Sequence, residues 1–189
     1  VNSRVLDVVL EIDRLKLVDY DNSNSLPILV GGIPYNDKLN PYELVNRDNY
    51  KDDFNYYKEL DTTKTAINRI ESKRVGFDLA LLIAKKFRHY DDIYFSYSVD
   101  FRGRIYPIQQ YLNPQGTEQS RALLEFSDGQ VLTERGFYWL CIHGANCYGY
   151  DKLAYEDRIQ NIKDKHYEIL EVAKDPLSNL RYWKDADSP

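Results

Sequence analysis

Apolar residues recur near helical spacing at the start of the chain. Six of them follow this spacing: Val5, Leu6, Val8, Val9, Ile12 and Leu15. The pattern predicts a helix over residues 3–18, because residues spaced in this way share one side of an α-helix. Residues 19–40 lose the pattern and contain many asparagine, serine, glycine and proline residues, which predicts a loop.

A second helical region is expected after this loop. Asn40 is followed by Pro41, which predicts a helix start, because asparagine caps helix N-termini and proline fits the first turn. One helix is predicted from there to about Leu60, and a longer one through roughly Tyr90. The longer helix carries an apolar stripe: Ile67, Ile70, Phe77, Leu81 and Ala84. Two long helices in antiparallel contact are therefore expected.

The pattern changes near residue 93. An apolar and aromatic run over residues 93–99 favours an extended backbone, in which side chains alternate between two faces. One face would then carry Asp100, Arg102, Arg104 and Tyr106. Gly103 lies between the two arginines, and its missing side chain would let a bulky partner approach the backbone. Guanidinium groups and a phenol suit the binding of a sugar-phosphate backbone. A strand edge with ordinary surface charges is an equal alternative.

The last part of the chain is predicted to be helical again. A helix is expected to begin at Thr133 and to run to Asn146, and a further helix covers residues 155–173. Asp175 and Pro176 are expected to stop it. Together these patterns predict an α+β fold that is predominantly helical, with a small sheet in the middle of the chain.

Composition narrows the class of protein. The chain has 189 residues, which allow one domain or two small ones, and a net charge of −5. No run of about twenty apolar residues is present, so no membrane partner is expected. The polar residues after Val1 argue against a signal peptide. The two cysteines then indicate a reducing compartment without a disulfide framework.

The charges are distributed unevenly. Residues 1–63 carry 12 acidic and 7 basic residues, and residues 105–189 carry 13 and 9. Residues 64–104 reverse this ratio, with 9 basic and 5 acidic residues. A basic centre between acidic segments is typical of a protein in which one channel meets a polyanion. For any single lysine, a solvated helix face is the better interpretation.

The sequence gives little support for a hydrolase site, a P-loop or a zinc site. Sequence motifs of serine hydrolases, P-loop proteins and zinc proteases are absent. Cys141, His143 and Cys147 are residue types that bind zinc. On one helix they cannot enclose a metal ion, and positions 141 and 143 point about 200° apart, so core packing is preferred.

Several motifs nevertheless occur in an order typical of one family. Asp100, Gly103 and Arg104 form an Asp-x-x-Gly-Arg pattern. Further matches follow it: Asn-Pro-Gln-Gly at 113–116, Arg-Ala-Leu-Leu-Glu-Phe from 121, Gly-Phe-Tyr-Trp-Leu from 136, Ile-His-Gly-Ala-Asn-Cys from 142, Asp-Lys-Leu from 151, Arg-Tyr-Trp from 181 and Asp-Ser-Pro at the end. In these motifs the chain resembles the single-subunit, phage-type DNA-directed RNA polymerases, which include organellar enzymes.

The resemblance implies a division of the chain. Residues 1–90 would be a thumb-like helical region with long antiparallel helices. Residues 91–127 would begin the palm and contain the Asp-x-x-Gly-Arg motif. Residues 128–189 would be a helical insertion of the palm, incomplete at its C-terminus. His143, within one of the matched motifs, would make a structural hydrogen bond rather than transfer a proton.

The resemblance also implies function. In the parent enzyme the chain would hold the DNA template and nascent RNA, while ribonucleoside triphosphates react at magnesium ions. The expected nucleic-acid-binding residues are Asp100, Arg102, Gly103, Arg104, Tyr106 and Arg121. The family's metal-binding aspartates lie beyond the equivalent of Pro189, so no catalytic residue and no metal ligand is assigned, and the isolated chain is expected to be inactive.

The expected location is intracellular: a mitochondrion, another organelle, or the cytoplasm of a phage-infected cell. The alternative is a non-catalytic, polymerase-derived module within a larger assembly, which is structural or binds nucleic acid.

Overall fold

A computed structural model describes residues 1–20 and 26–183 of the chain. It confirms the predicted α+β, mainly helical fold. The helices are α1 Ser3–Leu15, α2 Pro41–Leu44, α3 Asp53–Phe87, α4 Glu118–Ala122, α5 Glu134–Cys147, α6 Tyr155–Asp164, α7 His166–Lys174 and α8 Leu180–Trp183. The strands are β1 Val18–Tyr20, β2 Pro27–Leu29, β3 Tyr97–Val99 and β4 Ile105–Pro107. No helix among the described residues is long and apolar enough to cross a membrane.

The predicted first helix is confirmed as α1, but it ends at Leu15 rather than at residue 18, where β1 begins. The Asn2 side chain caps it by accepting a hydrogen bond from the Val5 amide at 3.2 Å, which satisfies one of the free N–H groups at a helix start. Lys16 ends the helix in the left-handed conformation, with φ of 50°. Leu6 and Ile12 are the buried residues of α1, and both belong to the apolar stripe that the sequence shows.

The prediction of a loop over residues 19–40 is only partly right. Strand β1 overlaps its start and β2 lies inside it, and the two strands pair antiparallel, with Val18 opposite Leu29 and Tyr20 opposite Pro27. The strands are three residues long, too short for an alternating pattern to stand out in the sequence. Leu29 is fully buried, so this hairpin contributes to the core. Residues 21–25 of the predicted loop lie outside the described part of the chain.

The predicted break near Leu60 is wrong. Asn40 caps the four-residue helix α2, as expected, but α2 ends at Leu44. The long helix begins only at Asp53, capped by the Asp52 side chain, and runs without interruption for 35 residues. No proline interrupts it, and Leu60 is buried inside it rather than at its end.

The antiparallel packing occurs between a different pair of helices. Arg88, directly after α3, forms an ion pair with Asp7 at 2.7 Å, and Arg74 of α3 forms one with Asp13 at 3.0 Å. Residue numbers rise along α1 while those of the partners fall along α3, so the two helices run in opposite directions. Their facing side chains form much of the main core.

The C-terminal helices largely follow the prediction. Helix α5 confirms the predicted helix, and its cap Thr133 accepts from the Gly136 amide at 3.1 Å. The single helix predicted over residues 155–173 is divided into α6 and α7 at Lys165, whose φ and ψ of −95° and 7° leave the helical region. Helix α7 ends at Lys174, before the predicted stop at Asp175.

Candidate nucleic-acid interface

The Asp-x-x-Gly-Arg motif forms a tight turn between β3 and β4, and the continuous strand expected for it is therefore wrong. The Gly103 amide donates to the Asp100 carbonyl at 3.0 Å, and the Asp100 amide donates to the Arg104 carbonyl at 2.9 Å. Strands β3 and β4 are paired on either side, with Val99 opposite Ile105. Aspartate at the first and glycine at the fourth position are typical of such a turn.

The backbone conformation at position 103 requires a glycine, whereas no neighbouring atom is close enough to exclude a larger side chain. Its φ is 78°, in the left-handed region, where a side chain is strained. A Cβ atom built there would meet nothing within 4 Å. The space over the turn is therefore open, which is compatible with the approach of a partner.

The Asp100 carboxylate organises the turn and one arginine. Its Oδ1 atom accepts hydrogen bonds from the backbone amides of Arg102 and Arg104, at 2.8 and 3.0 Å. Its Oδ2 atom accepts from Arg104 Nε at 2.8 Å and lies 2.8 Å from Arg104 Nη2. The backbone hydrogen bond from Arg104, with the side-chain bond from Arg104 and the amide of Arg102, lowers the pKa of Asp100, although partial burial opposes this.

Two arginines of the turn each lie against an aromatic ring. The Arg104 Cζ atom lies 5.4 Å from the centroid of the Tyr106 ring, and the Arg102 Cζ atom lies 5.1 Å from that of Phe101. These distances suit cation–π contact. Tyr106 is 39% exposed and Phe101 90% exposed. Phe101 is not among the binding residues expected from the sequence, although its position inside the motif is a signal for it.

Ser120, which is 1% exposed, stabilises the chain after β4 through hydrogen bonds. Its hydroxyl donates to the Tyr111 carbonyl at 2.7 Å and accepts from the Asn113 amide at 3.1 Å. A Cβ atom on Gly116 would lie 2.9 Å from this hydroxyl, so glycine is needed there. Gln115 Nε2 donates to the Ile105 carbonyl at 3.0 Å and joins this segment to the hairpin. The Asn-Pro-Gln-Gly motif therefore supports the turn.

Arg121 lies apart from this network. It is on α4, exposed, and its Nη2 atom is 3.6 Å from the Glu118 carboxylate. Among the described residues it has no hydrogen bond or ion pair with the β3–β4 turn. Its role in binding nucleic acid stays a prediction.

Part of the predicted basic centre serves the fold. Arg74 is only 13% exposed, contacts Asp13 and Asp78, and donates to the Pro34 carbonyl at 3.0 Å. The Asp13 Oδ1 atom is buried, and its 3.0 Å contact with Arg74 is an ion pair without the alignment of a hydrogen bond. Arg88 is likewise paired with Asp7. These guanidinium groups are poor candidates for phosphate binding.

One face of α3 is free of acidic side chains. Between residues 55 and 76, an arc of about 100° around the helix, at 100° per residue, carries Asn55, Lys58, Thr62, Thr65, Arg69, Ser72, Lys73 and Gly76. All except Gly76 are exposed, and a Cβ on Gly76 would meet nothing within 4 Å. The acidic residues of α3 lie outside this arc. Lysine, arginine, serine, threonine and asparagine are the side chains that contact phosphates and sugars.

The described residues do not fit a magnesium site. None of them forms a group of three or more His, Cys, Asp or Glu side chains that could hold a metal ion. The Asp100 carboxylate is already engaged by Arg104.

Of the sulfur and imidazole groups, Cys141 is buried and the Cys147 Sγ atom lies 3.8 Å from His143 Nε2. Burial raises the pKa of Cys147, which disfavours its thiolate.

Comparison with known proteins gives consistent matches. Residues 130–189 match the family model of DNA-dependent RNA polymerase. T7 RNA polymerase of Escherichia phage T7 is 40% identical over 119 residues, 63% of this chain and 13% of the phage protein. The mitochondrial DNA-directed RNA polymerase 1 of Arabidopsis thaliana is 42% identical over 124 residues, 65% of this chain and 13% of the plant protein. The mitochondrial enzyme of Neurospora crassa is 36% identical over 135 residues, 71% of this chain and 9% of the fungal protein.

Proposed function

Because this chain is homologous to a segment of the phage and mitochondrial single-subunit DNA-directed RNA polymerases, we propose that it is part of an enzyme that transcribes DNA. It spans between 9% and 13% of the length of the relatives named above. The proposed parent is a nucleotidyltransferase with a DNA template, nascent RNA and ribonucleoside triphosphates as partners. It would act in an organelle or in a phage-infected cell.

Within this enzyme, the β3–β4 turn is proposed to hold the template or the RNA–DNA hybrid. The observation that carries the proposal is the Asp100–Arg104 pair, because a guanidinium fixed by a carboxylate is oriented before a ligand arrives. Three of the five N–H donors of Arg104 remain for a phosphate. Tyr106 and Arg102 would add contacts to sugar and phosphate groups, and Gly103 leaves the backbone accessible.

The acid-free face of α3 is proposed as a second surface for the same polyanion. It extends about 30 Å along the helix at 1.5 Å per residue, long enough to meet several consecutive phosphates. Its hydroxyl and amide groups suit backbone contacts without sequence preference. This assigns to the thumb-like region the role of holding nucleic acid rather than of reading its sequence.

The chain is proposed to position substrates rather than to catalyse. Magnesium in the parent would supply charge stabilisation to phosphoryl transfer, but the described residues of this chain offer no fitting site for it. The 189-residue polypeptide is therefore expected to be inactive by itself.

The experiment is a binding measurement on the complete polymerase with a labelled template–RNA hybrid. Arg104→Ala should weaken binding by a similar factor, roughly tenfold, for two unrelated template sequences, because phosphate contacts carry no base information. Arg104→Lys should restore only part of it, since an ammonium cannot reproduce a planar fork.

Arg14→Ala is the matched control. Arg14, on α1, is exposed and donates to the Glu11 carboxylate through Nε at 2.8 Å and through Nη2. It is therefore paired with a carboxylate through the same two nitrogen atoms as Arg104. The control should bind the hybrid normally. Equal weakening in both variants would show that the effect depends only on general charge, and no weakening in either would show that Arg104 does not hold the hybrid.

A further inference from the structure

Lys165, at the junction of α6 and α7, is surrounded by tyrosine rings. Its Nζ atom lies 4.8 Å from the ring centroid of Tyr148, 5.3 Å from that of Tyr150 and 5.9 Å from that of Tyr182. It also donates a hydrogen bond to the Tyr150 hydroxyl at 3.3 Å. Within residues 1–20 and 26–183, no carboxylate forms an ion pair with this ammonium. The three rings and the Tyr150 hydroxyl are therefore the described partners of this ammonium.

The three rings form a cage from two parts of the chain. Tyr148 and Tyr150 follow α5, and their rings are 6.1 Å apart and nearly parallel, at 21°. Tyr182 of α8 crosses Tyr148 at 62°, with centroids 5.2 Å apart. A cation within about 6 Å of a ring face is attracted to it, and more strongly where water is excluded. Lys165 therefore joins α8 to the loop after α5.

The position of Tyr182 needs such a partner. Its hydroxyl is buried and has no hydrogen-bond partner among the described residues, which disfavours burial of this side chain. Two contacts oppose that cost: the Tyr148 hydroxyl donates to the Tyr182 carbonyl, and Lys165 faces the Tyr182 ring. The charge of Lys165 is thus one of the interactions that hold Tyr182 in place, beside the hydrogen bond from the Tyr182 amide to the Asn179 carbonyl at 3.1 Å.

Trp183, the residue after Tyr182, connects α8 to the main core. Trp183 Nε1 donates to the Pro176 carbonyl at 2.7 Å, and its ring packs against the main core. A Cβ atom on Gly31 would lie 3.6 Å from this ring. Trp183 also lines an apolar groove of about 780 Å³ beside α1. Helix α8 therefore has one residue in the tyrosine cage and the next on the N-terminal core.

We propose that Lys165 is a charge-dependent latch. Its ammonium holds Tyr182 in the cage and thereby keeps α8, with Trp183, against the N-terminal core and along one wall of the groove. Loss of the positive charge releases α8 and opens that wall, while the remaining helices stay folded. This latch does not depend on the proposed nucleic-acid contacts.

Hydrogen–deuterium exchange of the complete polypeptide tests the latch. Lys165→Met removes the charge and keeps most of the length, and it should accelerate exchange of the α8 amides by about tenfold, the loss expected for a partly desolvated cation–π contact. Lys165→Arg keeps a cation and should exchange within about twofold of the wild type. Lys163→Met, at an exposed position on α6, is the matched control and should leave α8 unchanged. Unchanged α8 exchange in Lys165→Met, or equal acceleration in all three variants, would overturn the proposal.

A double-mutant cycle keeps the test decisive if Lys165→Met perturbs α6 and α7 as well. Tyr182→Leu removes the α8 wall of the cage, so adding Lys165→Met to it should accelerate α8 exchange little further. Additive effects of the two substitutions would show that Lys165 and Tyr182 act separately, and the latch would then be rejected.

Discussion

Asp100 and Arg104 are joined by a charge-assisted pair at the end of an exposed hairpin. One carboxylate oxygen of Asp100 contacts both Nε and Nη2 of Arg104 at 2.8 Å, while the other accepts two backbone amides. The Arg104 side chain is 57% exposed, but the Asp100 side chain only 19%. The guanidinium therefore reaches solvent while its anchor is sheltered, which reduces the side-chain entropy that a ligand must remove on binding.

The negative charge of Asp100 should stabilise the turn. Its pKa is lowered in the folded protein, so its contribution to stability is present above the unfolded pKa and is lost as pH falls through the lower, folded pKa. We expect the Arg104 side chain to lose its fixed position only in that acidic range, below about pH 4. An NMR titration of the side-chain carboxyl groups measures the pKa of Asp100 and, for comparison, that of Asp175. A pKa for Asp100 at or above its ordinary value would contradict the described pairing.

Substitution of two glycines should have opposite effects. Gly103→Ala places a side chain at φ of 78° and should destabilise the hairpin by about 1 kcal/mol. Gly76→Ala lies inside α3 with open space around it, so it should stabilise the chain by about 0.5–1 kcal/mol. Chemical denaturation gives both free energies of unfolding. The turn conformation described for Gly103 would be wrong if both substitutions stabilised the protein.

Arg74 should prove structural. Arg74→Met leaves the Asp13 carboxylate without its cation in a largely sheltered site, and we expect a loss of about 2–3 kcal/mol in the free energy of unfolding. Arg69→Met, on the exposed face of α3, should change it by less than about 0.5 kcal/mol. Adding Asp13→Asn to Arg74→Met should recover part of the loss. A negligible effect of Arg74→Met would return this residue to the candidates for phosphate binding.

The sequence predicted the fold class and several helix starts because these depend on local signals. Asn2, Asn40 and Thr133 cap their helices as such residues usually do. The continuity of α3 could not be read in the same way. Its first half is largely exposed, so its apolar residues do not repeat regularly enough to distinguish one long helix from two.

The residues of the candidate interface were predicted on one continuous strand, whereas Asp100 to Arg104 form a turn between two strands. The side chains from Asp100 to Tyr106 do not alternate as on a strand, and an aspartate and a glycine three positions apart indicate a turn. The closeness of Arg104 and Tyr106 nevertheless held, because the turn and the first residues of β4 bring them together. The Asp100–Arg104 pair depends on that turn, and the ion pair of Arg74 depends on how α1 packs on α3, which no local pattern encodes.

The isolated chain should not synthesise RNA. Purified polypeptide, magnesium, a primed template and all four ribonucleotides should give no extended product, because no described residue cluster can organise the metal ions. Its binding to nucleic acid should be weak and should fall as salt rises, since few phosphate contacts are available. Template-dependent product from a preparation free of other polymerases would contradict this expectation.

The most direct test of the proposed interface is the salt dependence of hybrid binding by the complete polymerase. We expect the slope of log K against log salt concentration to become less steep by about one unit in Arg104→Ala, because one phosphate contact releases about one counterion. The slope should be unchanged in Arg14→Ala. An Arg104→Ala slope equal to that of the wild type would show that Arg104 does not contact the phosphate backbone.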